Sequence, residues 1–124
     1  MTNSLLVHCP DAVRAYMTLT EGEDRAAAVA TFADDAHVTD DGRDYHGTAE
    51  IRAWLDRVAS QYTYTTTPIA AHNDVATRAT SVTCRLEGTF PGGLVDLDYR
   101  FQLDGSGRLA HLTIAPSADQ PERT

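Results

Sequence analysis

From Val95 to Asp104 every second residue is apolar: Val95, Leu97, Tyr99, Phe101 and Leu103 alternate with Asp96, Asp98, Arg100, Gln102 and Asp104. A period of two sends alternate side chains to opposite faces of an extended chain, so this stretch predicts a strand with one dry and one wet face. The same rhythm sets Val82, Cys84, Leu86 and Phe90 against Thr83, Arg85 and Glu87, with Pro91-Gly92-Gly93 as the turn between the two strands. A second turn at DGSG leads into Leu109 to Ala115, and Pro116 ends the order. Upstream, Tyr62 to Ala71 is rich in threonine and tyrosine, which favour strands, and His72-Asn73-Asp74 reads as the turn that follows.

The first half of the chain changes period. Pro10 suits a first helical turn, and Val13, Tyr16, Met17 and Thr20 recur at helical spacing until Gly22 breaks it. Asp24 can cap a second, alanine-rich helix running through Phe32, whose solvated end would be Asp34-Asp35. Ala36 to Asp40 predicts a short strand, Asp41-Gly42 a turn and Asp44 to His46 its return. Gly47-Thr48 then opens a third helix with the apolar stripe Ile51, Trp54, Leu55 and Val58. Helices first and hairpin-linked strands afterwards predict one α+β domain over residues 1–124, ordered over about residues 10–116, with helices on one face of a curved, mainly antiparallel sheet.

Charge narrows the partners. Acids outnumber bases 18 to 10, the formal charge is −8, and no basic stripe offsets it, so nucleic acid is not an expected partner. Every base is an arginine; with no lysine, no side-chain amine is available for a Schiff base or for holding pyridoxal phosphate. Cys9 and Cys84 form no CxxC pair and read as reduced residues of a cytoplasmic protein. The start MTNSLLVHCP lacks a basic, signal-like leader, and no stretch has the length to cross a bilayer. The five histidines, His8, His37, His46, His72 and His111, are scattered without HxH or HxxxH spacing, so no metal site is expected; His46 is the one kept as a possible pocket-rim group.

Val38 and Asp40 share a face of the predicted strand, which puts an acid beside a core residue. Either Asp40 starts an exposed turn, as aspartates often do, or it projects into a cavity. Tyr16 is likewise either an ordinary core tyrosine or a hydrogen-bond donor to a ligand.

The segment AYMTLTEGEDRAAAVATFADDAHVTDDG followed by GTAEIRAWL resembles the NTF2-like superfamily, and within it the ketosteroid-isomerase and SnoaL-like branches. The likeness runs from Asp11 to Ala115. It implies a cone of three helices on a strongly bent sheet with a pocket between them, and often a homodimer through the open sheet face; here the strand Tyr62 to Pro68 and the row around Arg85 and Arg100 would suit it. In ketosteroid isomerase the general base follows FADDA in the strand and a phenol in the first helix stabilises the oxyanion; Asp40 and Tyr16 match those places without a gap. That enzyme's protonated acid on the fifth strand corresponds to Asp98 or Tyr99: parity puts Asp98 in the wet row and Tyr99 in the dry one, unless a β-bulge exchanges them. Its supporting tyrosine in the third helix is replaced by Leu55.

The resemblance thus implies a hydrophobic small-molecule ligand, steroid- or polyketide-like, and cofactor-free proton transfer next to a carbonyl by Asp40 with Tyr16 and Tyr99. Phe32, Val38, Trp54, Leu86, Phe101, Leu112 and Ile114 are the expected apolar lining. Isomerisation and SnoaL-like aldol cyclisation are both compatible with it. A non-catalytic ligand-binding or protein-interaction module of the same fold is the alternative. An epoxide hydrolase of the limonene type would need an Asp-Arg-Asp trio, for which Arg78, Arg85 and Arg100 are the available arginines.

Overall fold

The computed structural model describes residues 6–21, 25–74 and 76–118. The chain runs α1 (Asp11–Glu21), α2 (Arg25–Val29), β1 (Phe32–Asp40), β2 (Arg43–His46), α3 (Gly47–Gln61), β3 (Tyr64–Asp74), β4 (Ala79–Gly88), β5 (Leu94–Leu103) and β6 (Leu109–Pro116). The strands form one sheet in the order β2-β1-β6-β5-β4-β3, antiparallel throughout except where β1 lies parallel to β6. Register shifts in β1 between Phe32 and His37, in β3 between Pro68 and Ala70, and in β5 between Gln102 and Leu103 bend the sheet. The α+β architecture expected from the sequence is present.

Three local expectations are corrected. Phe32 belongs to β1, and α2 ends at Val29; Asp34 and Asp35 are exposed strand residues, because the irregular start of β1 breaks the alternation that would have marked it. His72, Asn73 and Asp74 extend β3 and pair with Ser81, Thr80 and Ala79, so the turn into β4 lies after them. Their polar side chains suit a turn by propensity, but the ladder to β4 holds them extended. The proposed helix break at Gly22, the cap at Asp24 and the tail beyond residue 118 lie outside the described residues.

The inner face of the sheet is built in rows. Val38, Leu112 and Phe101 are in register and fully buried, and Phe32 packs with them against the helices. Tyr16 from α1 meets Phe32 and Phe101 edge-on at ring centroid distances of 5.7 and 5.5 Å. This closed end is solid core. Along the strands the next row is Asp40, Ile114, Tyr99 and Val82, and beyond it Leu97 with Cys84, then Val95 with Leu86 and Thr66. There the helices no longer fill the concave side. Pro68 sits in edge strand β3, where a missing N–H costs no central ladder bond, and the irregularity just after it brings Ala71 opposite Val82.

The outer face is polar. Arg85 donates to both oxygens of the buried Asp96 at 3.0 and 3.1 Å, and Thr83 donates to Asp98 at 2.7 Å.

Candidate active site

Asp40 is the last residue of β1, and the two residues that follow set its direction. Asp41 and Gly42 have φ of +53° and +79°, the positive pair that a two-residue β-hairpin turn needs. The Asp41 amide bonds to the Ile114 carbonyl at 3.3 Å, tying the turn to β6. Asp40 is therefore both the first residue of a tight turn and, by parity with Val38, an inward-facing one. Its carboxylate is half-buried and accepts a 2.9 Å hydrogen bond on Oδ2 from the indole N–H of Trp54 in α3. Burial pushes its pKa above the usual carboxylate range; the Trp54 bond opposes that, Asp41 adds to it, and Arg57 draws it back down.

Asp40 opens on a cavity of about 580 Å³, within the range of small-molecule sites. All five tyrosines line its wall; in three of them, Tyr16 from α1, Tyr99 from β5 and Tyr64 from β3, the phenol feels the Asp40 charge. Tyr16 and Tyr99 are buried, and burial raises all three pKa values further above 10.0, with the Asp40 carboxylate adding to each. Phenols held this way stay protonated at neutral pH and act as hydrogen-bond donors. Apolar wall is supplied by Met17, Leu55, Val58, Leu86, Phe90, Val95, Leu97 and Ile114.

The residues expected from sequence divide. Asp40, Tyr16, Tyr99, Trp54, Leu86 and Ile114 line the cavity. Phe32, Val38, Phe101 and Leu112 do not; they lie in the closed end, where helix and sheet meet without a gap. Asp98 faces the outer side and is bound by Thr83. His46 is not at the rim but stacks on His37 at 4.2 Å, and His37 stacks on His111 at 4.7 Å. Residues scattered in sequence thus become a three-imidazole row across β2, β1 and β6, with Asp44 2.9 Å from His37 and bonded to Thr39. Among the described residues no His, Cys, Asp and Glu cluster has metal-site geometry. None of Arg78, Arg85 and Arg100 lines the cavity, so those three arginines do not supply an Asp-Arg-Asp trio there.

Sequence reasoning missed Tyr64, Tyr45, Arg43 and Arg57, all of which line the cavity. Tyr64 shares parity with Thr66, the partner of Leu86, and that was its available signal. Arg57 falls three residues after Trp54, on the same side of α3. Tyr45 stacks on Trp54 at 5.9 Å, and the Arg57 guanidinium lies 5.3 Å from the Tyr45 ring centre while donating to its hydroxyl.

Comparison with known proteins agrees with this architecture. Residues 13–109 match the family model described as a SnoaL-like domain. A candidate polyketide cyclase from Sinorhizobium meliloti is 32% identical, with 86% of this chain and 94% of that one covered and a TM-score of 0.79. Delta 5-3-ketosteroid isomerase from a Mycobacterium species is 22% identical over 86% of this chain and 90% of its own, with a TM-score of 0.71. A Mycobacterium tuberculosis protein in complex with estradiol-17beta-hemisuccinate is 17% identical over 86% and 92%, with a TM-score of 0.72. At these lower identities the likeness is one of fold. A comparison with curated proteins finds no match.

Proposed function

The chain belongs to the SnoaL-like domain family, and on that footing we propose that it moves a proton at a carbon next to a carbonyl group of an apolar, steroid- or polyketide-sized molecule. The observation that carries this reading is the half-buried Asp40, one oxygen held by Trp54, sharing a cavity with the protonated phenols of Tyr16, Tyr99 and Tyr64.

In the proposed reaction the Asp40 carboxylate takes the proton from the α-carbon through the oxygen that Trp54 leaves unbound. The electron pair of the C–H bond becomes the enolate, and charge gathers on the carbonyl oxygen. Tyr16 donates to that oxygen, with Tyr99 beside it on the sheet side. The cycle closes in one of two ways. Asp40 returns the proton to a conjugated carbon, which shifts a double bond. Alternatively, the enolate carbon attacks a second carbonyl of the same molecule and forms a carbon–carbon bond, and the proton goes to the new alkoxide. The 32% identity to a candidate polyketide cyclase favours the second outcome.

The test is deuterium exchange of the α-protons of a 3-oxo-Δ5 steroid and of a linear polyketone, followed by NMR. The protein should accelerate exchange; Asp40→Asn should lose roughly a hundredfold or more and Tyr16→Phe roughly tenfold to a hundredfold. Exchange equally fast in Asp40→Asn would overturn the assignment of the base. Tight binding with no exchange in the unmodified protein would leave a ligand-binding module.

A further inference from the structure

Two cationic side chains stand at the mouth of the cavity in an acidic protein. Exposed residues of the lining mark the opening: Asp41, Arg43, Arg57, Gln61, Ala115 and Pro116. Two of the ten arginines stand there, on a chain whose formal charge is −8 and whose general field repels anions. Arg57 is positioned as well as present. Its guanidinium lies over the Tyr45 ring and bonds the Tyr45 hydroxyl; Tyr45 stacks on Trp54, and Trp54 holds Asp40. A flexible side chain is thereby fixed on the same scaffold that orients the acid. Arg43 stands opposite Asp40 in the β1–β2 ladder and, among the described residues, takes part in no ion pair. Arg52, by contrast, is committed to Asp56 on the far side of α3, and Arg85 to Asp96 on the outer face of the sheet.

We propose that the natural ligand of this cavity carries an anionic group, a carboxylate in the first instance, which rests on Arg57 and Arg43 while the apolar, ketone-bearing body lies inward against the phenols. This rests on the reading of the cavity as a small-molecule site and narrows its substrate class to keto acids. A guanidinium offers planar, paired donors that match a carboxylate, and a ring beneath it keeps that plane fixed. Asp41 at the rim and Asp40 in the wall offset the two arginines in formal charge, so the attraction is local to the guanidinium groups. An ester or amide of the same skeleton has no charge to place there and is discriminated against.

The experiment compares 3-oxo-4-androstene-17β-carboxylate with its methyl ester. Binding is read from the fluorescence of Trp54, the only tryptophan and part of the cavity wall. The carboxylate should bind about five- to tenfold tighter than the ester at low salt, as expected for a partly exposed charge-assisted contact, and the preference should shrink as salt is raised. Arg57→Met combined with Arg43→Met should bring the ratio of acid to ester affinity close to one. Because both side chains are exposed, these variants are expected to fold, and unchanged circular dichroism checks that. Equal binding of acid and ester by the unmodified protein, or a preference that survives the double variant, overturns the anion subsite. Either result leaves proton transfer by Asp40 standing, since that is read separately by deuterium exchange. Failure of both compounds to bind overturns the subsite together with the small-molecule reading.

Discussion

Replacing Trp54 by phenylalanine isolates what the indole N–H does for Asp40. The ring stays aromatic and apolar, while the 2.9 Å bond to Oδ2 is removed. A hydrogen bond to a charged acceptor contributes about 1.5–3 kcal/mol, and it is made to the carboxylate far better than to the neutral acid. At about 1.4 kcal/mol per factor of ten, its loss shifts the ionisation of Asp40 toward the acid by roughly ten- to a hundredfold. Asp40 is only half-buried, so water takes over part of the indole's place and the lower figure, about tenfold, is the expected one. The smaller ring also leaves space beside Leu55 and Tyr45 and should cost about 1–2 kcal/mol of stability. The assay is a carbon-13 titration of the Asp40 carboxyl group in both proteins, run beside the pH profile of α-proton exchange. The midpoint and the profile should both move to higher pH in Trp54→Phe. A midpoint that stays put, or moves down, would refute the idea that this bond counteracts burial.

Four further outcomes follow from the geometry. Asp40→Asn should raise the melting temperature at pH 7, because a carboxyl group whose folded pKa lies above its ordinary 3.8 costs stability increasingly as pH climbs from that value to the folded one, and the full cost persists above it; thermal melts should show the gain vanishing below about pH 3.8. Burial, with the neighbouring His37, holds His111 below its ordinary 6.5 against the opposing pull of Asp44, so the unfolded chain takes up the proton first and stability should fall as pH drops below that value; His111→Gln should flatten the decline in melts between pH 7.5 and 5. Gly88→Ala should destabilise by at least 1–2 kcal/mol in urea titration and disturb Tyr64, because a Cβ there would stand 2.2 Å from the Thr63 carbonyl and 2.5 Å from the Tyr64 Cβ. Two copies are expected to pair through the outer sheet face around Arg85 and Arg100, giving a dimer mass by sedimentation at micromolar concentration; a monomer mass would overturn that expectation.

What could be read from the chain was whatever depends on local period. The strict alternation from Val95 to Leu103 sorted Tyr99 from Asp98, and the structure has them on the inner and outer faces respectively. The parity of Val38 and Asp40 was legible for the same reason. Phe32, Val38, Phe101 and Leu112 show where parity stops helping: it tells inner from outer, but not which inner rows the helices fill. Irregular pairing hid the start of β1, where the chain lacks the rhythm that marks a strand. The imidazole row was illegible in principle, since His37 and His111 meet only because β6 lies beside β1, a pairing between distant segments. Arg57 was legible as a helix-face neighbour of Trp54, but a charged residue next to an apolar stripe more often points to water.

The parallel pairing of β1 with β6 has a consequence for how the protein is made. Asp40 and its indole partner are made well before β6, yet the register that completes their surroundings, Asp40 against Ile114 and Ile114 against Tyr99, waits for that strand. Until then the acid has no enclosing wall and remains a hydrated carboxylate on an unfinished sheet. Closing so distant a contact is slow, and the chain that waits for it exposes the long edge of β1 to its neighbours. The wall around Asp40 is therefore completed only by β6, in the same step that covers that edge of β1.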